Sequence, residues 1–256
     1  MHPRKKDEAR ANVMEYLLSS EVSGKGAHKS ILLRVNCPLT TPWGVDDLNA
    51  LKDATQAQKD GLAGVVLPMV EDRDALDFAQ ERTDLPLWAM IETARGLLNV
   101  EDTTAHSSVD GIIFGKNDFT KDVQAHASSG ADIVYLQYAM QRCVVAARAY
   151  GKHVIDGVHM DIGNLETLET TTRTGRNFGF NGRSLVHPSH IDITNAVYSP
   201  LPEDVLRAER IIEAYAEVTT QGKGVVVVDG VLIESLHVEQ AQLTLARHEQ
   251  AEATVV

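Results

Sequence analysis

Residues 87–120 indicate the fold class most clearly, and they begin with the apolar run Leu87-Trp-Ala-Met-Ile91. An amphipathic helical pattern follows at residues 94–106, and a second apolar run occupies residues 111–114. A strand, a helix and another strand in this order predict a parallel βα unit, because parallel strands need a crossover connection. Glu92 comes directly after the first strand, so the unit carries a carboxylate at the carboxyl end of that strand.

The same alternation extends in both directions along the chain. Six apolar runs predict buried strands, at residues 31–35, 64–67, 87–91, 111–114, 154–158 and 178–186. Amphipathic patterns predict helices at residues 46–60, 72–81, 94–106, 132–150, 163–176 and 203–217. Repeated βα units are typical of either a closed βα barrel or an open doubly wound sheet.

Two observations favour a TIM (β/α)8 barrel over the open sheet. No Gly-x-Gly-x-x-Gly motif follows a strand, which removes the usual support for a dinucleotide-binding sheet. Polar residues also follow the strands, where a barrel places its catalytic groups, namely Asn36, Pro68, Glu92, Asp118, Asp156 and Asn181. About six barrel strands are visible, whereas a closed barrel has eight, so we predict an N-terminally truncated barrel that lacks a strand, a helix and a second strand.

The two ends of the chain differ in character from this alternation. Residues 1–18 predict a helix and residues 19–30 a polar loop. Residues 224–233 predict a strand or short hairpin, and residues 236–250 a closing helix. We therefore divide the chain into an incomplete barrel domain, residues 1–217, and a C-terminal segment, residues 218–256.

Composition excludes several classes of function. The 256 residues carry a formal net charge of −12, which repels nucleic-acid phosphates and anionic lipid headgroups. No apolar run approaches the roughly 20 residues of a membrane span. The start lacks the apolar core of a signal peptide, and two cysteines do not form a disulfide framework. We expect an intracellular protein, cytoplasmic or mitochondrial, that binds neither nucleic acid nor membrane.

Glu92 and Asp118 are the candidate metal ligands. Each has a simpler explanation, since an acidic residue in a first helical turn is favoured by the helix dipole and a lone aspartate often caps a helix. Their pairing favours the role of metal ligands over these simpler explanations, because two carboxylates at the ends of consecutive parallel strands face the same mouth of a barrel. Two carboxylates, with water and substrate completing the coordination, suit Mg²⁺.

Arg34 is the candidate substrate-binding cation, and Asn36 directly follows the same strand. A guanidinium within a barrel strand is costly to bury unless it is paired, so Arg34 could simply bind an acidic neighbour. The functional alternative is a fork that binds a carboxylate or an enolate oxygen. We favour the functional role and assign Arg34 and Asn36 to substrate binding.

An ordered set of motifs resembles the citrate lyase β-subunit-like family, which belongs with the HpcH/HpaI aldolases. The resemblance covers about residues 3–247. Its motifs are Arg34-Val-Asn, Val66-Leu-Pro68, Ile91-Glu-Thr-Ala-Arg-Gly96, Phe114-Gly-Lys-Asn-Asp-Phe-Thr120, Gly179-Phe-Asn-Gly-Arg-Ser-Leu-Val-His-Pro188 and residues 224–233. Each motif is weak alone, but the ordered set is specific.

The resemblance implies a Mg²⁺-dependent lyase on a TIM barrel, usually a homotrimer. Members cleave or form C–C bonds in acyl-CoA thioesters such as citryl-CoA, citramalyl-CoA and malyl-CoA, with a keto acid as the other partner. Glu92 and Asp118 match the metal carboxylates, and Arg34 matches the arginine that contacts the keto acid or enolate. The C-terminal segment resembles a lid that brings a catalytic acid/base, here Glu234, to a neighbouring subunit.

Three departures from the family pattern stand out. The family usually has aspartate where this chain has Glu234, which is one methylene longer. The family also begins with two strands, ending in Pro-Gly and Asp-Leu-Glu-Asp, that are not found before Lys6. Met69 stands where members often carry lysine after the proline.

Three functions remain open at this point. The first is the Mg²⁺-dependent acyl-CoA lyase, with Glu234 and Arg34 as catalytic residues. The second is a CoA-independent aldolase of the same superfamily that acts on a pyruvate-derived hydroxy-keto acid, although the lid-like segment is typical of the CoA-using branch. The third is a catalytically silent protein that binds a keto acid or assembles with other chains.

Overall fold

The computed structural model describes residues 5–19, 30–126, 133–220 and 222–254. Most of the predicted loop at residues 19–30 and the start of the first predicted helix lie outside the described residues. The chain divides into two compact units, residues 1–188 and residues 189–256.

The first unit contains a six-stranded parallel sheet in which each strand pairs with the next in the chain. Its strands are β1 (Leu32–Arg34), β2 (Gly64–Leu67), β3 (Leu87–Ile91), β4 (Val109–Phe114), β5 (His153–Asp156) and β6 (Gly182–Arg183). Six strands in sequence order form a curled half-barrel, whereas a doubly wound sheet reverses its strand order at a switch point. The predicted barrel-type arrangement with six visible strands is therefore confirmed.

Helices connect these strands, as the amphipathic patterns predicted. They are α1 (Lys6–Tyr16), α2 (Pro42–Lys52), α3 (Gln56–Lys59), α4 (Asp74–Gln80), α5 (Ala94–Leu98), α6 (Val100–Ala105), α7 (Lys116–Asp122), α8 (Gln137–Ala149) and α9 (Leu165–Phe178). The Thr41 hydroxyl caps α2 by accepting the Gly44 N–H, with Pro42 in the first turn. This cap makes α2 begin four residues before the predicted position.

The two faces of strand β3 show how the sheet is packed. Leu87, Ala89 and Ile91 are buried in the core between the sheet and the helices. Trp88 and Met90 alternate with them on the other face and are only half-buried. Burial of a leucine or isoleucine side chain contributes about 1.5–3 kcal/mol, so the helix-facing side provides most of the hydrophobic stabilisation.

One predicted strand is much shorter than expected. Residues 178–186 were predicted as a strand, but α9 continues through Phe178 and β6 contains only Gly182–Arg183. Gly179 ends the helix with a left-handed φ of 105°, a conformation that glycine adopts without a steric penalty. A helix end of this kind and a buried apolar run are difficult to distinguish by periodicity alone.

The second unit contains α10 (Ile191–Tyr198), α11 (Pro202–Thr220), the antiparallel hairpin β7 (Val226–Val228) and β8 (Val231–Ile233), and α12 (Ser235–Thr254). The hairpin agrees with the prediction for residues 224–233. The division into residues 1–217 and 218–256 stays a prediction. The boundary between the two compact units falls between Pro188 and Ser189. Its physical cause is a separate apolar cluster that α11 shares with the hairpin and α12, formed by Ala208, Ile211, Val228, Ile233 and Ala241.

Within the described residues, no helix combines the length and the apolar character that crossing a membrane would require.

Candidate active site at the carboxyl ends of the strands

A cavity of about 620 Å³ lies in the first unit at the carboxyl ends of strands β1 to β3. Helix α1 and the first turn of α7 also border it. Four residues predicted from the sequence line this one cavity, namely Arg34, Asn36, Glu92 and Asp118. Their convergence is the expected result of a parallel half-barrel, in which all strand ends face the same side.

Glu92 is the most deeply buried of these four residues, at 2% exposure. Its Oε1 accepts a hydrogen bond of 2.8 Å from the backbone N–H of Met69, which follows β2. On its other side it lies against Gly115, where an added Cβ would come within 2.5 Å of both Cβ and Oε2 of Glu92. Backbone on two neighbouring strand ends therefore fixes the position of this carboxylate.

The electrostatic environment of Glu92 disfavours its charged form. Burial raises the pKa of Glu92 above its ordinary value, and the nearby Asp118 carboxylate adds to this rise. The Met69 N–H and the positive charge of Arg34 oppose the rise without cancelling it. A bound cation would reverse this penalty, because it favours the ionised carboxylate.

Asp118 is the second carboxylate of the site. It lies in the first turn of α7, is exposed, and is close enough to Glu92 to raise the pKa of that carboxyl. Among the described residues, no group of three or more His, Cys, Asp or Glu side chains could hold a metal ion. A pair of oxygen donors that leaves positions for water and substrate fits Mg²⁺, which rarely takes an all-protein shell.

Gly115→Ala tests whether the close approach of Gly115 to Glu92 matters. The added Cβ would force Glu92 to move, so we expect affinity for Mg²⁺ or Mn²⁺ to fall by about 10- to 100-fold. Titration calorimetry measures this affinity directly. Gly163→Ala is the matched control, because a Cβ there meets its nearest atom only at 3.9 Å. Equal metal affinities for the two variants would refute the assignment.

Arg34 is the last residue of β1 and its side chain is exposed at the cavity. It lies close enough to Glu92 for their opposite charges to attract. The described residues provide it with no hydrogen-bonded carboxylate partner, unlike Arg10 nearby, which binds Asp47 at 2.9 Å. Its guanidinium is therefore in a position to bind an anionic ligand beside the carboxylate pair.

Asn36 also borders the cavity, but neighbouring residues already use most of its amide. Its Nδ2 donates to Asp47 at 2.6 Å, and its Oδ1 accepts from the ammonium of Lys6 at 2.5 Å. Asp47 also accepts from the Asn36 backbone N–H and from Arg10 of α1. Asn36 thus connects α1 to the end of β1, and one amide N–H remains for a ligand.

Sequence reasoning missed a buried ionic cluster beside the site. Lys116 donates to Asp156 across 2.9 Å, and Asp156 at the end of β5 is 0% exposed. Arg183 of β6 is also buried and binds the Gly157 carbonyl and the hydroxyls of Thr171 and Thr172. Burial and the charge of Arg183 lower the pKa of Lys116, while Asp156 opposes this shift. The signal in the sequence was a lysine two residues after the end of a strand and two residues before Asp118.

Asn181 was predicted to follow a strand, and this prediction is wrong. The residue precedes β6, and its Oδ1 accepts the Val154 N–H near the start of β5. It therefore lies at the amino ends of the strands, away from the cavity-facing ends. The observed strand begins only at Gly182, after Asn181, which is why the residue lies before β6.

Glu234, the predicted acid/base, lies in the second unit between β8 and α12. Its side chain is exposed, and its backbone N–H donates to Nδ1 of His237 at 3.0 Å. The catalytic assignment of Glu234 stays a prediction.

A curled parallel half-barrel with a carboxylate pair at its strand ends defines the class, a βα-barrel protein with its site at the carboxyl ends of the strands. The family model described as HpcH/HpaI aldolase/citrate lyase matches residues 2–188. The chain belongs to this family.

Relatives and solved structures agree with this membership. The chain is 37% identical over 222 residues to a (3S)-malyl-CoA thioesterase of Cereibacter sphaeroides, covering 87% of this chain and 75% of that protein. It is 29% identical over 203 residues to the mitochondrial citramalyl-CoA lyase of Homo sapiens, covering 72% and 59%. The crystal structure of protein CitE from Mycobacterium tuberculosis in complex with magnesium and pyruvate is similar with a TM-score of 0.65 and 25% identity, covering 79% of this chain and 78% of that chain.

Proposed function

We propose that the protein is a Mg²⁺-dependent carbon–carbon lyase that acts on a 3-hydroxyacyl-CoA and yields a keto acid and a short acyl-CoA. The observation that carries the proposal is the meeting of Glu92, Asp118 and Arg34 at one cavity. Two carboxylates for a cation and one cation for an anion suit a substrate that has a hydroxyl next to a carboxylate.

The residues of the cavity have distinct roles in this chemistry. Glu92 and Asp118 would hold Mg²⁺, which when bound would supply Lewis-acid polarisation of the substrate hydroxyl and the adjacent carboxylate. Arg34 offsets the negative charge that develops on the enolate of the departing acyl-CoA. Burial of Glu92 excludes water from one side of the carboxylate pair, which strengthens electrostatic interactions there.

The reaction transfers one proton in total. A base removes the proton of the 3-hydroxyl, the C2–C3 bond breaks, and its electron pair passes to C2 of the acyl-CoA. The enolate then takes a proton at C2 and becomes the short acyl-CoA. C3 becomes the carbonyl carbon of the keto acid. We assign the proton transfers to Glu234, following the family resemblance, with a homotrimer as the expected assembly.

Thioester hydrolysis is the second candidate. It is favoured by the 37% identity to a protein named (3S)-malyl-CoA thioesterase. The same carboxylate pair and Arg34 would bind the same substrate, but water would attack the thioester carbonyl and release CoA. The two reactions give different products from malyl-CoA, namely glyoxylate and acetyl-CoA for the lyase and malate and free CoA for the hydrolase.

The decisive experiment incubates the full chain with malyl-CoA and with citramalyl-CoA, with Mg²⁺ or with chelator, and identifies the products by chromatography. We expect metal-dependent formation of a keto acid and acetyl-CoA. Arg34→Gln should lower kcat by about 10²- to 10³-fold, the usual effect of removing one transition-state charge partner. Arg95→Gln is the control, because Arg95 forms an exposed ion pair with Asp72 and does not line the cavity.

Other results would select the alternatives. Malate and CoA as the only products would replace the lyase with the hydrolase. Cleavage of a hydroxy-keto acid without any CoA moiety would indicate the CoA-independent aldolase. Keto-acid binding without turnover of any of these compounds would indicate the binding protein.

A further inference from the structure

Met69 has an unusual backbone conformation beside the carboxylate pair. Its backbone φ is +54°, a conformation that residues other than glycine rarely adopt. The Met69 N–H binds Glu92 in this conformation, and the residue borders the cavity at 37% exposure. Strained residues that the surrounding structure fixes in this way are concentrated at functional sites.

The cations around the cavity are unequally available. Lys6, Arg10 and Arg34 all line it. Arg10 binds Asp47 and Asp7 at 2.9 Å each, and Lys6 binds Asn36 and lies 5.6 Å from the Trp43 ring centre. Of these three, Arg34 alone has no hydrogen-bond partner within the described part of the chain. Among the described residues that line the cavity, Arg34 is therefore the one available side-chain cation next to Glu92 and Asp118.

We propose that Met69 determines substrate specificity by forming an apolar wall beside the reacting carbon. The reacting carbon C3 carries a hydroxyl, a carboxylate and one further substituent. The preferred substrate would have hydrogen or methyl as this substituent, as in malyl-CoA and citramalyl-CoA. Citryl-CoA, which has a carboxymethyl group at this position, would be disfavoured. This inference rests on the proposed function and narrows its substrate class.

The physical reason is the cost of an uncompensated anion. A first substrate carboxylate has Arg34 and the metal site as partners. A second carboxylate against Met69 would lose water and would find no further available cation among the described residues that line the cavity. Specificity of this kind comes from the penalty imposed on the wrong substrate.

The keto-acid products provide a test that does not depend on turnover. Glyoxylate, pyruvate and oxaloacetate correspond to hydrogen, methyl and carboxymethyl substituents, respectively. Titration calorimetry of the full chain with saturating Mg²⁺ should show that oxaloacetate binds at least about tenfold more weakly than the tighter of the other two.

Substitutions at Met69 identify the residue responsible. Met69→Lys should improve oxaloacetate affinity by about tenfold relative to glyoxylate, because it supplies the absent cation. Met69→Leu is the matched control: it is apolar, has a similar volume and meets the same backbone restriction, so it should keep the wild-type order of affinities. Val145→Lys adds the same charge at an exposed position of α8, outside the cavity lining, and should also keep that order.

The outcomes separate the two proposals. Oxaloacetate binding to the wild type as tightly as the tighter of glyoxylate and pyruvate, or an equal change of preference in Met69→Leu and Met69→Lys, would overturn the role of Met69 and leave the lyase proposal intact. Failure of all three keto acids to bind would overturn the lyase proposal and this inference together. Urea unfolding of each variant verifies that the compared proteins are folded.

Discussion

Replacing Glu92 with glutamine is expected to abolish Mg²⁺ binding and turnover while making the metal-free protein more stable at neutral pH. The carboxylate is buried beside Asp118, so the ionised form is destabilised in the folded protein. Glutamine keeps an oxygen that can accept the Met69 N–H but removes the charge. We expect a gain in unfolding free energy of about 1–3 kcal/mol, the scale of a poorly compensated buried polar group.

The sign of the pH dependence follows from the raised pKa of Glu92. Protonation is tighter in the folded than in the unfolded protein, so the wild type loses stability as pH rises through the folded-state pKa. The advantage of Glu92→Gln should therefore disappear below about pH 4, where the carboxyl is protonated in both states. Urea unfolding at several pH values, with chelator present, measures this difference.

Metal addition provides the matched comparison. Mg²⁺ at 100 times its dissociation constant should stabilise the wild type by about 2.7 kcal/mol and leave Glu92→Gln unchanged. Asp77→Asn is a suitable control, since Asp77 is an exposed partner of His106 and does not line the cavity. Equal stabilisation of the wild type and Glu92→Gln by Mg²⁺ would exclude Glu92 as a ligand.

Breaking the buried pair of Lys116 and Asp156 should produce the largest loss of stability among the substitutions considered. Removal of one partner from a buried ion pair typically costs about 3–5 kcal/mol, because the other charge is left without compensation. Asp156→Asn should cost more than Lys116→Met. The first leaves the buried Lys116 ammonium next to the positive charge of Arg183 without the Asp156 carboxylate, whereas the second leaves Asp156 near the Arg183 charge.

The double variant Lys116→Met with Asp156→Asn tests whether charge pairing is responsible. The amide oxygen introduced by Asp156→Asn would still be able to accept the Gly157 N–H that Asp156 binds at 2.7 Å. We expect the double variant to be more stable than either single variant, with a coupling free energy above about 2 kcal/mol in urea unfolding. Additive losses would mean that packing, rather than charge pairing, causes the destabilisation.

The order of elements could be predicted from the sequence because burial imposes short periodic patterns. Strands β2 and β3 have the predicted boundaries, since each is a short apolar run between helical patterns. Strand β6 could not be predicted correctly, because Phe178 and Phe180 resemble a buried strand although the first ends a helix and the second precedes β6. Helix 94–106 was also predicted as continuous but changes at Asn99 into α5 and α6.

The candidate site was predictable in part for the same reason. Glu92 and Asp118 closely follow apolar runs, and parallel strands bring such positions to one edge. The engagement of Asn36 by Asp47 and Lys6 was not predictable, because these residues lie 11 and 30 positions away. The left-handed backbone of Met69 is likewise unexpected for a residue with a Cβ.

The βα alternation, the family and the identity of the carboxylates at the strand ends could be predicted without coordinates, because they depend on local periodicity and on the order of motifs. The availability of each charged side chain, by contrast, is a property of the folded chain. The fold pairs Arg10 with Asp47 and Lys116 with Asp156, and it leaves Arg34 at the cavity beside a buried Glu92. The physical reason is that desolvation and charge pairing depend on distances between residues far apart in the chain, and local sequence patterns do not encode those distances.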